Sequence, residues 1–400
     1  MWDSAEIQWT EVRNVGDVRM GKQLSPAARD MPGQFPYLRV ANVHLGRIDY
    51  ADVNTMGFTG AERETYGLKP GDILLNEGQS LELVGRSAIY DGVEGKFCFQ
   101  NTLIRFRLGA DVLPAYAQVV FERWLTTGVF AAIAKQTTSI AHLGGDRFGA
   151  VLFPLIPAAA QRRIVEVIDS FSELERGIEA SIAKTRLIHG EVARRVLLGE
   201  NRRLRKIKDV ATVSSGSTPS RARRDFWDGG DVPWVRTGEI DFNVITETGE
   251  HVTRKAVHEA GLRVYPQGTV LLAMYGDGAT RGRVGSLGVE AAINQAAAAI
   301  VCDPLQVDHR YLYYFLETQY TEIRNIGQGS NRSNLNGALV GAIEIPLPSV
   351  EEQRELVISL ETFDSKVQAD RAELAKLREL KQGLVDDLLS GRGTVPAVAA

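Results

Sequence analysis

The strongest constraint on this chain is an internal duplication, in which short motifs recur in the same order in the two halves. The matching segments are Pro36-Tyr37-Leu38-Arg39 with Pro233-Trp234-Val235-Arg236, Gly71-Asp72-Ile73-Leu74-Leu75 with Gly268-Thr269-Val270-Leu271-Leu272, Val84-Gly85-Arg86 with Arg281-Gly282-Arg283, and Gln161-Arg162 with Gln353-Arg354. The offset is 197 residues in the first three pairs and 192 in the last, so loop insertions separate the copies. A period this long exceeds that of solenoid repeats and suits one domain followed by an extension.

Each half ends in a long stretch without proline, which predicts one continuous helix over about 158–198 and a second over about 350–390. At 1.5 Å rise per residue, about 40 residues make a rod roughly 60 Å long. Apolar residues recur along both stretches at the alternating spacing of a coiled-coil heptad. These seam residues are Ile164, Ile168, Phe171, Ile178, Ile182, Val192, Val196, Leu356, Leu360, Phe363, Val367, Leu374, Leu377, Leu384 and Leu388. Because the two seams match in length, we expect an antiparallel coiled coil within the chain; packing on separate cores or on another subunit is the alternative.

The segments 1–157 and 201–348 have the pattern of α+β domains with a mostly antiparallel or mixed sheet. Short β-rich runs alternate with Gly, Pro and Asp turns, and a helical stretch follows in each segment. The predicted strands include Tyr37–Val43, Ile73–Asn76, Leu103–Arg107 and Val270–Tyr275, and the predicted helices are Ala115–Ile133 and His309–Asn325. The expected fold class is α+β, with two similar domains separated by two long helices in a pseudo-twofold internal repeat.

Composition and motifs exclude several classes of function. The sequence has no phosphate loop, zinc-protease motif or nucleophile elbow, and its six histidines show no metal-ligand spacing, so we predict no catalytic residue and no metal site. Cys98 and Cys302 are too few for a disulfide framework, and no apolar run suits a membrane span, so a cytoplasmic location is expected. The formal net charge of −4 is unusual for a DNA-binding protein, since phosphate contacts require Lys and Arg.

Four segments, taken together and in order, resemble those of a known family. They are Leu74–Arg86 in the first domain, Ala273–Arg283 in the second, Ile345–Pro348 with Glu352–Arg354 at the start of the second long helix, and Leu380–Arg392 at its end. On these motifs the chain is similar, over essentially its whole length, to the specificity subunits of type I restriction–modification enzymes.

The resemblance implies a role for each part of the chain. Residues 1–157 and 201–348 would be target-recognition domains 1 and 2, each reading one half of an asymmetric bipartite site on double-stranded DNA. Residues 158–200 and 349–392 would be spacer helices 1 and 2, which dock two methyltransferase subunits, and residues 393–400 a flexible tail. Restriction subunits with translocase activity would join this core. S-adenosylmethionine, ATP and Mg would be bound by these partners, and this chain would bind no cofactor and catalyse nothing.

Candidate DNA-binding residues lie in polar, turn-rich segments of both domains. Arg and Lys pair with guanine, Asn and Gln pair with adenine, and hydroxyl groups bind phosphate. The predicted residues are Lys22, Arg39, Asn42, Gln79, Ser80, Arg86, Thr137, Thr138, Ser139, Ser217, Thr218, Arg221, Arg223, Arg236, Thr237, Arg281, Arg283, Asn331, Arg332 and Ser333. The alternative for each is a structural role, such as an arginine that ties a loop to a carboxylate, and the flanking apolar residues favour this for Arg39 and Arg236.

Two other functions remain open at this point. One is a specificity protein of another restriction class, whose partner carries methyltransferase and nuclease in one chain. The other is a scaffold that binds no DNA and uses the coiled coil for assembly.

Overall fold

The computed structural model describes residues 7–25, 32–136, 139–199, 202–276, 279–326 and 334–390. Its contacts divide the chain into two compact units, unit 1 with residues 1–177 and 373–400 and unit 2 with residues 178–372. Each unit therefore combines one of the two predicted domains with parts of both long helices.

The long helices extend over Ala158–Leu197 (spacer helix 1) and Val350–Ser390 (spacer helix 2). Within unit 2 they run in opposite directions, because Ser181 Oγ donates to Asp370 Oδ2 at 3.0 Å while, further along, His189 Nδ1 lies 3.7 Å from Asp364 Oδ1. All 15 predicted apolar seam residues are buried or half-buried. The antiparallel coiled coil expected from the heptad pattern is confirmed.

The described residues of unit 1 form one four-stranded sheet, two three-stranded sheets and two two-stranded sheets. Its strands are β1 (Gln8–Glu11), β2 (Gly16–Met20), β3 (Gln34–Leu38), β4 (Val43–His44), β5 (Arg47–Ile48), β6 (Asn54–Gly57), β7 (Ile73–Asn76), β8 (Gly78–Gln79), β9 (Ser87–Ile89), β10 (Cys98–Phe99), β11 (Leu103–Leu108), β12 (Lys135–Gln136), β13 (Ala141–His142) and β14 (Leu152–Leu155). Its shorter helices are Val12–Val15, Gly60–Tyr66, Pro114–Thr126, Val129–Ile133 and Gly145–Gly149, with a 3-10 turn at Val40–Asn42. The large sheet has the order β2-β11-β7-β9 and the small sheet β10-β3-β6, in which β3 and β10 are parallel.

Unit 2 repeats the large sheet and the small sheet of this plan, with one strand added to the large sheet. Its strands are β15 (Leu204–Lys206), β16 (Ala211–Ser215), β17 (Val232–Val235), β18 (Asn243–Ile245), β19 (His251–Val252), β20 (Val270–Ala273), β21 (Val284–Leu287), β22 (Ala292–Ile293), β23 (Ala297–Cys302) and β24 (Glu344–Pro346). Its shorter helices are Ile207–Val210, Arg254–Glu259, His309–Thr318, Tyr320–Asn325 and Gly337–Gly341, with 3-10 turns at Arg224–Phe226 and Thr237–Glu239. The orders β16-β23-β20-β21 and β22-β17-β19 correspond strand for strand to those of unit 1, so the duplication extends to the sheet topology.

Several predicted elements end earlier than expected. The run Tyr37–Val43 is a strand only to Leu38, because the chain then enters a 3-10 turn in which Asn42 Oδ1 accepts the Arg39 N–H at 3.0 Å. The helix expected over Ala115–Ile133 is interrupted at Gly128, whose φ of +79° lies in the left-handed region. These interruptions arise from single polar or glycine residues inside apolar patterns.

The spacer helices contribute to the cores of both units. In unit 1, Phe106, Phe121 and Phe148 pack with ring centroids 5.3–6.0 Å apart, in the same apolar cluster as Ile164 and Leu388 of the spacer helices. In unit 2, the corresponding cluster combines domain residues with spacer residues of both helices. Each domain therefore shares its hydrophobic core with residues of both spacer helices.

Glu317, on the helix His309–Thr318 of unit 2, should make stability depend on pH. Burial, reinforced by Asp364, raises the pKa of its carboxyl group from 4.5 to about 7. Since folding favours the protonated form, the stability present below pH 4.5 is lost as the pH rises through 7. We expect Glu317→Gln to raise the free energy of unfolding by about 1–3 kcal/mol at pH 8 and to change it little at pH 4. Urea denaturation at both pH values measures this, with the exposed Glu322→Gln as control; an equal effect at both would contradict it.

Candidate nucleic-acid interface

The predicted DNA-binding residues fall into two regions, and both regions occur in each unit. The first region lies at the small sheet and the loop after the first strand of the large sheet; it contains Lys22, Arg39 and Asn42 in unit 1, and Ser217, Thr218, Arg221, Arg223, Arg236 and Thr237 in unit 2. The second region lies at the turn after β7 or β20 and at the β12–β13 hairpin; it contains Gln79, Ser80, Arg86, Ser139, Arg281 and Arg283. Thr137, Thr138, Asn331, Arg332 and Ser333 lie outside the described residues.

A separate three-stranded sheet, β12-β13-β8, brings the second region of unit 1 together. β8 pairs with β13 and β13 with β12, which places Gln79 beside the hairpin that contains Ser139. Lys135 pairs with His142 across this hairpin, and Lys135, His142 and Ser139 are all exposed. The three paired strands therefore form one polar surface. Lys135 and His142 belong to this surface, although the sequence analysis did not identify them.

Arg86 and Arg283 occupy the same backbone position in the two units. Each follows a glycine in the left-handed region, with φ of +84° at Gly85 and +86° at Gly282, and each N–H donates to the carbonyl three residues earlier at 3.1 Å. A Cβ atom at position 85 would lie 2.2 Å from the Phe130 ring, so only glycine fits there. The repeated motif thus specifies a turn, and the surroundings of each arginine side chain must be considered separately.

The two side chains have different partners. Arg283 Nη1 lies 2.9 Å from Asp241 Oδ1, and its Nε donates to Ala279 O at 3.0 Å. Arg86 is half-buried, its Nε has no hydrogen-bond partner among the described residues, and burial lowers the pKa of its guanidinium group. Because an unpaired charged group in a desolvated position costs free energy, Arg86 is suited to gain an anionic partner.

Arg221 is held in place by aromatic rings in the first region of unit 2. Its guanidinium carbon lies 3.7 Å from the ring centroid of Trp227 and 5.2 Å from that of Trp234, and its Nη2 lies 2.7 Å from Glu250 Oε2. The side chain nevertheless remains 54% exposed. Stacking on Trp limits the conformational freedom of the arginine, so less entropy is lost when its planar group binds a ligand.

Arg223 belongs to a network of charged groups. Its Nη2 donates to Asp225 Oδ2 at 2.6 Å and to Glu259 Oε2 at 2.9 Å, while Lys255 Nζ lies 2.9 Å from the same Asp225 oxygen. These partners hold the pKa of Arg223 above its usual value and the pKa of Asp225 below its own. The positive charge of Arg223 is therefore largely balanced within the domain.

The repeated arginines Arg39 and Arg236 each lie close to a carboxylate of their own domain, as expected for arginines with a structural role. Arg39 Nη2 donates to Asp52 Oδ2 at 2.7 Å, and Arg236 Nη1 lies 3.4 Å from Glu250 Oε1. Each arginine precedes a 3-10 turn, which explains why the motif recurs.

Two candidate residues of unit 1, Lys22 and Asn42, already have hydrogen-bond partners within the domain. Lys22 Nζ donates to Glu62 Oε2 at 2.7 Å and to Gly57 O at 2.8 Å, with a side-chain exposure of 14%. Asn42 is buried, and its Nδ2 donates to the carbonyl groups of Asp49 and Asp52. Neither side chain can reach DNA without breaking these bonds.

Two candidate residues of unit 2, Thr237 and Arg281, are also engaged within the domain. Thr237 is buried and donates its hydroxyl group to Asn294 Oδ1 at 2.8 Å. Arg281 is buried and donates Nη2 to the carbonyl oxygen of Arg324. Ser217 and Thr218 are exposed and remain candidates.

A turn between β10 and β11 joins the two regions of unit 1. Thr102 Oγ1 accepts from Val40 N at 3.2 Å, and Thr102 O accepts from Glu77 N at 2.9 Å. Asn101 lies in this turn, and Gln295 is exposed at the equivalent position of unit 2. Both carry amide groups that suit adenine, and a pair of amide residues repeated at an offset of 194 is the sequence signal that would have identified them.

Within the described ranges, no three His, Cys, Asp or Glu side chains are grouped so that they could bind a metal ion. None of the helices in that part of the chain has the length and apolar character needed to cross a membrane.

Comparison with known proteins identifies relatives of this chain. Residues 200–379 match the family model described as the type I restriction modification DNA specificity domain. The MjaIX specificity subunit of Methanocaldococcus jannaschii is 32% identical over 173 residues, which cover 41% of this chain and 38% of that relative. The putative MjaX specificity subunit of the same organism is 21% identical over 386 residues, covering 90% of this chain and 87% of that relative.

Solved structures share the fold. A chain from a study of complex assembly in a type I R-M system matches with a TM-score of 0.69 at 16% identity, covering 98% of this chain and all of that one. The S subunit of a type I restriction–modification system from M. genitalium matches with a TM-score of 0.52 at 15% identity, over 100% of both chains. Residues 200–379 are therefore similar to the DNA specificity domain of type I restriction–modification systems, and the chain shares its fold with these solved structures over nearly its whole length.

Proposed function

We propose that this chain is the DNA sequence-specificity subunit of a type I restriction–modification enzyme. The observation that carries the proposal is a domain skeleton that occurs twice with the same strand order, while equivalent surface positions carry different polar groups. The turn before β11 and β23, for example, carries Asn101 in unit 1 and Gln295 in unit 2. Two similar domains with different surfaces suit an asymmetric bipartite target, each domain reading one half-site.

Direct contacts with bases are assigned to members of the two regions that are exposed or half-buried. In unit 2, Arg221 presents a planar guanidinium group fixed by Trp227, which suits bidentate pairing with guanine. In unit 1, the half-buried Gln79 and Arg86 of the second region provide an amide and a guanidinium group. The carboxylate of Glu250 holds Arg221 in place until a DNA acceptor replaces it.

The spacer helices are assigned to the docking of two methyltransferase subunits. Both helices expose large apolar side chains, with exposed fractions of 58% at Leu174, 76% at Leu187, 60% at Ile358 and 56% at Leu380. Isolated apolar side chains are common on surfaces, but four on two otherwise charged helices suit a helical partner.

The partners also supply the chemistry and part of the charge. The net charge is −4, and the arginines at positions 221, 223, 236 and 283 are each paired with carboxylates, so these four candidate residues offer little free positive charge. Methyltransferase and restriction–translocase subunits would contribute basic surface, S-adenosylmethionine, ATP and Mg, and this chain would remain non-catalytic. We place the complex in the cytoplasm, where its DNA substrate is found.

Arginine replacement in the assembled complex tests this function. Arg221→Ala is expected to weaken binding of the cognate target by about 1–3 kcal/mol and to relax the preference at one base pair. Arg86→Ala is expected to weaken binding of the cognate target by a similar amount, because it removes the base contact assigned to unit 1. The target is first obtained by mapping methylated adenines in a host that carries the system, and binding is then measured by titration of labelled duplexes.

Arg176→Ala is the control, because Arg176 is 73% exposed and pairs with Glu173 on spacer helix 1, outside both recognition domains. Equal affinity for cognate and scrambled duplexes in the unaltered complex would contradict the proposed function. Unchanged binding by the Arg221 and Arg86 variants would remove these two residues from the interface.

A further inference from the structure

A buried glutamine stands in the first turn of spacer helix 1 and joins that helix to its domain. Gln161 is 0% exposed. Its Oε1 accepts the backbone N–H of Leu113 at 2.8 Å, and its Nε2 donates to Asp111 O at 2.8 Å and to Ile156 O at 2.9 Å. One side chain therefore links the loop before the helix Pro114–Thr126 to the segment that leads into the spacer.

The same joint is present at the start of spacer helix 2. Gln353 is also 0% exposed. Its Oε1 accepts the N–H of Asp308 at 2.8 Å, and its Nε2 donates to Gln306 O and to Pro348 O, both at 3.0 Å. The three backbone partners of Gln353 are equivalent in position to those of Gln161. The same residue type therefore makes the same set of hydrogen bonds in both units.

The chemistry of the joint requires glutamine. A carboxamide supplies one acceptor and two donors, which match one N–H and two carbonyl groups. Glutamate would direct a carboxylate at two carbonyl oxygens, leucine would leave three buried backbone groups unpaired, and asparagine is shorter by one methylene group.

Polar contacts further along the spacer helices differ between the units. Arg123 Nε donates to Asp386 Oδ1 at 2.7 Å in unit 1, whereas Tyr314 OH donates to Asp364 Oδ2 at 2.5 Å in unit 2. The glutamine joint is thus a polar contact that is kept where these contacts differ, which points to a requirement for the same angle between domain and helix in both units.

We propose that Gln161 and Gln353 are positioning residues that set the direction of each recognition domain on its spacer helix, and thereby the length of the gap tolerated between the two half-sites. The inference rests on the proposed function. One added base pair moves a half-site by about 3.4 Å and rotates it by about 35°, so a domain whose direction is fixed accepts one gap length. A domain released from its joint accepts neighbouring lengths.

The test measures gap preference in the complete complex with its methyltransferase partner. The mapped target is prepared as a series of duplexes with the gap shortened or lengthened by one and two base pairs, and methylation rates are compared. We expect the unaltered complex to prefer its native gap by about tenfold or more, and Gln161→Leu or Gln353→Leu to bring the ratio to within about threefold. Gln161→Glu, which keeps the acceptor for the Leu113 N–H, provides a second variant if the leucine variants do not assemble.

Met56→Ala is the control for general loss of stability, because Met56 is buried in a separate apolar cluster of the same domain. It should lower the melting temperature of the complex and leave the gap preference unchanged. A sharp native preference in the folded glutamine variants, or a broadened preference in Met56→Ala, would overturn the inference. Absence of any sequence preference in the unaltered complex would instead contradict the proposed function.

Discussion

Replacement of Asp72 by Thr is expected to lower the free energy of unfolding by about 3 kcal/mol, because it leaves a partly buried arginine without its carboxylate. The Asp72 side chain is 1% exposed and accepts from both Nε and Nη2 of Arg107 at 2.7 Å. Its Oδ2 also accepts the backbone N–H of Lys69 at 2.8 Å, so the turn before β7 loses a bond as well. Urea denaturation followed by circular dichroism measures the loss.

Unit 2 provides the matched control for this prediction. Thr269 and Val301 stand at the positions equivalent to Asp72 and Arg107, and Thr269 Oγ1 donates to Pro266 O at 2.7 Å to close the same turn. Asp72→Thr combined with Arg107→Val leaves no unpaired charge and should recover about half or more of the lost stability. A double variant as unstable as the single one would show that the ion pair is not the cause.

Leu388→Ala should produce the second large effect, a loss of about 2–5 kcal/mol in the free energy of unfolding. Leu388 is 0% exposed and belongs to the apolar cluster that unites the first domain with both spacer helices. Its truncation therefore creates a cavity in the domain core as well as in the coiled-coil seam. Thermal and urea unfolding of the purified chain measure the change.

Leu380 is the matched control on the same helix. It lies eight residues before Leu388 and is 56% exposed, so Leu380→Ala should change stability by about 0.5 kcal/mol or less. The same variant should weaken methyltransferase docking if the exposed apolar residues form that surface. Equal losses of stability in the two variants would contradict the distinction between core and docking faces.

The long helices and the buried β7 strand could be predicted closely from local patterns. Ile73–Asn76 and Val350–Ser390 end where expected, because apolar periodicity and nearby turn residues act over a few positions. The parallel pairing of β3 with β10 could not be predicted, since it joins residues about sixty positions apart in the chain.

The candidate site was predicted less completely than the fold. Residue type identified Arg221, but its stacking on Trp227 and its ion pair with Glu250 depend on distant parts of the chain. Asn42 and Arg281 look like surface residues in the sequence, but both are buried and hydrogen-bonded within their domains.

By itself, the sequence determined that this protein is a duplication with two matched helices, because motif spacing and heptad periodicity are written along the chain. Only the tertiary structure decided which polar side chains remain available for contact with DNA, and which glutamine joins each domain to its spacer helix. The physical reason is that burial and hydrogen-bond partners depend on contacts between residues far apart in sequence, as the bonds of Gln353 to the loop that contains Gln306 illustrate.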